Sequence, residues 1–292
     1  MARARAIVKR RRAAQNISKI TRTMELIATA RFQAAFNRAT ATKPYAEKLT
    51  ELVEQLSRSR DDLEHPLLKI NTESKRTVLL VITSNHGLCG GYNTSLLEAA
   101  LEHINQREDA GEKVDLQVMG KKGIFYFKHL GRELAGSDTR FEDKPQFAEV
   151  EPIAQLLIDS YQRKQIDSAY VIYMRLLSAG IQRVHTMQLL PIERPTSEDR
   201  AGLREPSLQY EFTPPPEELL TELLPAAVKI RLFQCFNEAA VSEQVARMVA
   251  MKAATDAAND MIRLLSRQYN RARQAQITFE LLDIVSGAEA LQ

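Results

Sequence analysis

Glycine is almost missing from both ends of the chain. Ten of the eleven glycines lie between Gly87 and Gly202, so the residue that most readily interrupts or ends a helix is confined to the middle. Proline is as scarce there: Pro44 is the only one from Arg3 to Ser59, and Ala226 to Ser286 contains neither Gly nor Pro. This excludes short, turn-rich termini and predicts one long helix at each end, well beyond the average of roughly 11 residues. At about 1.5 Å per residue the two would reach ~80 and ~90 Å. A compact domain of this size is on the order of 40 Å across, so helices of that length are expected to protrude and to need a partner.

Other absences narrow the function. No run of eighteen apolar residues occurs and no secretory leader can be drawn, which excludes a membrane-spanning helix. Cysteine is limited to Cys89 and Cys235, with no C-x-x-C or zinc spacing; a reducing compartment fits and a structural metal does not. Acidic residues are missing before Glu25, while Arg3, Arg5, Lys9, Arg10, Arg11, Arg12, Lys19 and Arg22 crowd the same stretch. Such a start suits an organellar transit peptide, a nucleic-acid arm, or a helix end facing solvent or a partner. The formal charge of the whole chain, +3, is too balanced for a dedicated nucleic-acid binder.

Within the first helical stretch, Ile17, Ile20, Met24 and Ile27 alternate by threes and fours, a narrow apolar seam that thins toward Arg31, Ala34 and Ala41. In the last stretch Met248, Met251, Thr255, Ala258, Ile262, Leu265, Tyr269 and Ala272 keep the same alternation. Two such seams suit each other. They predict an antiparallel pair wound left-handed, because a seven-residue repeat falls short of the natural helical period. Two core helices of an ordinary bundle would show the same spacing, but their length argues against that.

The middle changes period. Thr77 to Ser84 (TVLLVITS) reads as a strand covered on both faces. Further strands are expected over Val114–Met119, Ser168–Leu176 and Val184–Ile192, with helices over Thr94–Gln106, Lys122–Leu130 and Phe147–Lys164. That alternation predicts a parallel or mostly parallel sheet in a Rossmann-like α/β domain. Pro191, Pro195, Pro206 and the triplet Pro214, Pro215, Pro216 mark the return to helix. The expected division is a shaft helix over 1–60, an α/β domain over 61–213, and a second shaft helix over 214–292.

The turn after the first strand, Gly87, Leu88, Cys89, Gly90, Gly91, stands where an α/β protein can cradle a phosphate. It matches neither the Walker loop, since Tyr92 and Asn93 replace Lys-Ser/Thr, nor the spacing of the dinucleotide fingerprint. A tight turn before a helix capped by Asn93 is the better account. The histidines at 65, 86, 103, 129 and 185 form no ligand pair, and no serine sits in G-x-S-x-G. No catalytic apparatus is visible, which favours a mechanical or interaction role. From Tyr269 to Ala288, Arg271, Arg273, Gln274, Gln276, Thr278 and Glu280 interleave with small and apolar residues, giving a polar, low-relief helix face.

Four stretches carry a resemblance: AQNISKITRTMELIATARFQAA near the start, the turn SNHGLCGGYNTSL, SEQVARMVAMKAATDAANDMI, and YNRARQAQITFELLDIVSGA. Together they resemble the gamma subunits of F-type ATP synthases over essentially the whole chain. Ile277, Thr278, Glu280, Asp283, Gly287 and Ala288 fall at that family's signature spacing. His86, Pro225 and Glu289 depart from it; Pro225 is expected to kink or restart the last helix. No paired-cysteine insert of the chloroplast kind is present.

The resemblance implies a rotor. The coiled coil would stand inside a ring of alpha and beta subunits, and the α/β foot would rest with epsilon on the membrane c-ring. It implies that Arg273, Gln274 and Thr278 contact a beta-subunit loop and that Met24 faces a lever segment. It also implies that this chain holds no catalytic residue and no cofactor, ATP, ADP and Mg being bound by alpha and beta. Contact with nucleic acid is not implied, and contact with the membrane only through the complex. The expected location is the cytoplasmic face of a bacterial inner membrane, or alternatively the matrix side of the mitochondrial one. Competing readings are a nucleotide-binding α/β enzyme with helical extensions and a basic coiled-coil scaffold.

Overall fold

The computed structural model describes residues 2–59, 65–141, 144–178, 181–192 and 216–289. Elements follow in the order α1 (Ala2–Ser59), β1 (Arg76–Ile82), α2 (Tyr92–Asp109), β2 (Lys113–Met119), α3 (Lys121–His129), β3 (Gly136–Asp138), α4 (Phe147–Gln162), β4 (Ser168–Ser178), β5 (Ile181–Leu190) and α5 (Pro216–Glu289). The chain divides into two compact units, Met1–Ala30 with Arg247–Gln292, and Arg31–Ala246.

The larger unit is a five-stranded sheet of order β3-β2-β1-β4-β5, parallel except for the antiparallel β4–β5 pair. Strand β1 shows why it is central. Val78, Leu80 and Ile82 point into a core shared with α4, Leu49 and Val53 of α1, and Leu220 to Ala239 of α5, whereas Leu79 and Val81 point into a second core beneath α2 and α3. A strand buried on both faces needs an unbroken β-branched and aliphatic run, and TVLLVI supplies it. Short β3, of sequence GSD, has no apolar residue to signal it and is absent from the sequence-based reading.

Two local expectations are corrected. Asn93 does not cap α2: Gly91 holds that position without a side-chain bond, and Asn93 instead accepts from the Ser84 amide at 3.0 Å and donates to Ser84 Oγ at 2.8 Å, bracing the turn. Pro225 does not restart the last helix, which runs continuously through it, held by Leu220, Leu224, Ala227 and Val228 buried in the core. Pro44 likewise lies inside α1. Of the prolines expected to mark the domain exit, Pro195, Pro206, Pro214 and Pro215 lie outside the described residues.

Gly120 links β2 to α3 with φ +98, and a Cβ there would stand 2.1 Å from the Thr83 carbonyl oxygen. Gly120→Ala is therefore expected to cost at least ~3 kcal/mol in chemical denaturation. Gly111→Ala, also at positive φ but in open space, should cost only about 1–2 kcal/mol.

Burial lowers the pKa of His65, whose Nδ1 accepts from the Leu67 amide, and of His185 and His103, the latter two also disfavoured by Arg175 and Arg107 respectively. These imidazoles are folded as neutral groups, so the unfolded chain takes up protons first as pH falls below about 6.5. The thermal midpoint should thus decline between about pH 7 and pH 5, and His65→Asn, which keeps an acceptor without titrating, should flatten part of that decline.

Candidate subunit-contact surface

In the smaller unit α1 and α5 lie antiparallel. Arg11 stands over the Tyr269 ring at 5.4 Å, Ser18 Oγ donates to Asn259 Oδ1 at 2.8 Å, and the buried Thr255 and Thr21 hydroxyls bond at 2.8 Å. On α5 the contact stripe is Met251, Thr255, Ala258 and Leu265, all buried, flanked by half-buried Met248, Ile262, Tyr269 and Ala272.

On α1 the expected stripe is corrected. Ile17, Ile20 and Ile27 are exposed, Ile20 by 59%, and Met24 is half-buried. The buried positions are Ala14, Thr21 and Ala28, with Arg11, Ser18 and Glu25 half-buried between them. Both stripes obey the three-four alternation and differ by roughly 100° around the helix. Periodicity alone could not choose between them; side-chain size does. The facing α5 stripe contributes Met251, Ile262, Leu265 and Tyr269, and two helices close on such bulk only if the opposite surface is small.

The isoleucine stripe is thereby left free, beside Leu26 on α1 and with Val249, Met261 and Leu264 exposed on α5. At equal rise per residue, α1 ends level with about residue 278 of α5. Past that point Phe279, Leu281, Leu282, Ile284 and Val285 are all exposed, Phe279 by 68%, and at about 100° per residue they cover roughly 220° of the circumference, the positions of Glu280 and Asp283 taking the rest. An unaccompanied helix end with so wide an apolar sector calls for apolar partners. The sequence does show this run, but it reads as part of a signature rather than as a bare tip.

Arg273, Gln274 and Thr278 are exposed; Gln274 and Thr278 lie on the side of α5 turned away from the seam and Arg273 flanks it, and the Thr278 hydroxyl donates to the Gln274 carbonyl at 3.0 Å. The unit carries fourteen Lys and Arg against six Asp and Glu. Surface pairs such as Arg22–Glu25 at 2.9 Å and Arg263–Asp260 neutralise few of them. The side chains of Asp283, Gly287, Ala288 and Glu289 lie outside the described residues.

At the glycine turn of the larger unit, the polar groups face inward. Ser84 Oγ donates to the His86 carbonyl at 2.6 Å, Asn85 Nδ2 donates to the Thr139 and Phe141 carbonyls, and its Oδ1 accepts from the Lys121 amide. Beyond the carboxyl end of β1, where α/β sheets of this order hold ligands, the space is packed: the Tyr92 hydroxyl donates to the Ala239 carbonyl of α5 at 3.2 Å, and Phe141 meets Phe236 at 4.5 Å. Among the described residues no cluster of His, Cys, Asp and Glu has metal-binding geometry, and no helix is long and apolar enough to cross a membrane.

A family model described as ATP synthase matches residues 3–291. The ATP synthase gamma chain of Rhodopirellula baltica is 44% identical over the full length of both chains, and that of Leptospira biflexa 39%. Among solved structures, a chain of the Euglena gracilis mitochondrial ATP synthase OSCP/F1/c-ring assembly superimposes with a TM-score of 0.65 at 19% identity, covering 99% of this chain and 95% of its own. A chain from the rotor of the same synthase gives 0.61 at 17%, covering 94% and 99%.

The reassigned seam is directly testable. Ala28→Leu, placing bulk in the buried stripe, should lower the stability of the helix pair by about 1–3 kcal/mol in thermal unfolding followed by circular dichroism. Ile20→Ala, on the free stripe, should stay within about 0.5 kcal/mol.

Proposed function

Because the chain belongs to the ATP synthase gamma-chain family, we propose that it works as the rotor shaft of an F-type ATP synthase, with its helix pair seated inside a ring of alpha and beta subunits. The observation that carries this reading is the uncovered apolar surface of the smaller unit. Among the described residues of the unit, nothing covers the Ile17, Ile20, Ile27 stripe or the exposed apolar residues from Phe279 to Val285. A sleeve of other subunits would cover both.

In this reading the chain does no chemistry; nucleotide and Mg are held by alpha and beta, and the larger unit rests with epsilon on the c-ring. The complex is membrane-associated, and this chain is peripheral to it, on the cytoplasmic side of a bacterial inner membrane. The rival reading, a nucleotide-binding enzyme, is disfavoured by the packing of α5 over the carboxyl end of β1.

Torque follows from asymmetry. A pair of helices presents different residues in different directions: isoleucines on one side of α1, Gln274 and Thr278 on the outer side of α5, and Arg273 beside the seam. As the shaft turns, each beta subunit meets a different surface. A contact that separates open from closed states by a few kcal/mol shifts their populations by orders of magnitude. Arg273 and Gln274 act as hydrogen-bond donors toward a beta-subunit loop, and Met24 packs on a lever segment.

Coexpression with alpha and beta subunits should give one complex by size-exclusion chromatography, with ATPase activity that the purified chain lacks. In that complex Arg273→Ala with Gln274→Ala should lower turnover roughly tenfold, the effect of losing ~1.4 kcal/mol of charge-assisted contact. The helicity of the isolated subunit should be unchanged. Wild-type turnover would remove both residues from the mechanism.

A further inference from the structure

Helix α3 presents a surface that the rotor role leaves unused. At 100° per residue Lys121, Lys122, Phe125, Lys128 and His129 fall within an arc of about 120°, and all five are exposed, while Gly123 and Phe127 are buried on the opposite side. Phe125 is 75% exposed, and its ring stacks on His129 with planes 4° apart and centroids 6.4 Å apart. No acidic residue occurs from Leu116 to Arg132. Among the described residues Lys121, Lys122 and Lys128 form no ion pair, whereas neighbouring Arg132 and Arg140 are tied to Glu108 and Asp138. Three free ammonium groups around a bare aromatic platform thus occupy one face.

The size of the face argues against a lipid surface. Lipid headgroups are bound through clusters of about four to eight cations or a broad apolar helix face, whereas here three lysines surround one phenylalanine, which offers little area to insert. A short protein segment meets only the patch.

We infer that the exposed face of α3 docks a carboxylate-rich segment of another protein subunit, with an apolar side chain of that segment resting on the Phe125–His129 stack. The carboxylates pair with Lys121, Lys122 and Lys128, and the rim pairs set orientation and rate of encounter while the aromatic contact anchors. The inference rests on the rotor reading only in that the partner is sought inside the assembled complex.

The test places a photo-crosslinking benzoylphenylalanine at Phe125 in the complex purified with its own subunits and identifies the captured peptide by mass spectrometry. The expected product is a segment of a different subunit containing at least three Asp or Glu within ten residues. Its yield should fall at least fivefold in Lys121→Gln/Lys128→Gln and on raising salt from 50 to 300 mM. Circular dichroism of the variant should match the parent, and full assembly of the complex separates this outcome from any failure of the rotor reading. Capture of lipid, capture of a segment without that acidic content, a yield indifferent to salt and to the lysines, or no capture in a fully assembled complex would each overturn the inference.

Discussion

Two helices side by side can bury only one stripe each, and that limit governs the smaller unit. Burial of a leucine- or methionine-sized side chain stabilises by roughly 1.5–3 kcal/mol. The pair uses Met251 and Leu265 in full, with Ile262 and Tyr269 in part, against Ala14, Thr21 and Ala28. Placing all the bulk on α5 lets the backbones come close and allows the two threonine hydroxyls to satisfy one another across the seam at 2.8 Å. The same choice leaves the large side chains of α1 to face elsewhere. In a self-contained bundle a third helix would cover them; here the apolar surface is left for another polypeptide.

The larger unit solves a different problem with the same two helices. There the segment of α5 from Leu220 to Ala239 is part of a core built on one face of the sheet, with Val228, Leu232, Cys235 and Phe236 almost fully buried. Burial raises the pKa of the Cys235 thiol and of the Tyr173 hydroxyl beside it, so both are held neutral as packing groups rather than reactive ones. The crevice that a Rossmann-like strand order opens beyond β1 is filled by the same helix. This strand order elsewhere binds nucleotides, so function has to be argued from the site and not from the architecture.

How far the sequence could be read follows from what each signal encodes. The absence of glycine and proline gave both long helices, and TVLLVITS gave the central strand, because these are backbone and burial preferences written locally. Strand β3 escaped because a three-residue edge strand of Gly, Ser and Asp has no pattern at all. The α1 seam differs from the expected one because Ile17, Ile20 and Ile27 carry the stronger hydrophobic signal, and hydrophobicity cannot tell a face buried within a chain from one left for a partner. The clue lay in α5: a stripe already rich in Met, Ile, Leu and Tyr needs a small-residue counterpart, and Ala14, Ser18, Thr21 and Ala28 provide it at the right spacing.

A rotating part also has to release every contact it makes, which limits how strongly any one surface can bind. In the proposed rotor Arg273, Gln274 and Thr278 would meet that demand through contacts in which each hydrogen bond is exchanged for one to water at a net gain near 1 kcal/mol. The apolar tip of that rotor would meet it differently: burial of Phe279, Leu282 and Ile284 needs no aligned donor or acceptor, so it tolerates small rotations better than a hydrogen bond does. On that reading, directional contacts along the side and non-directional ones at the end would divide the work of sensing angle from the work of holding the axle in place.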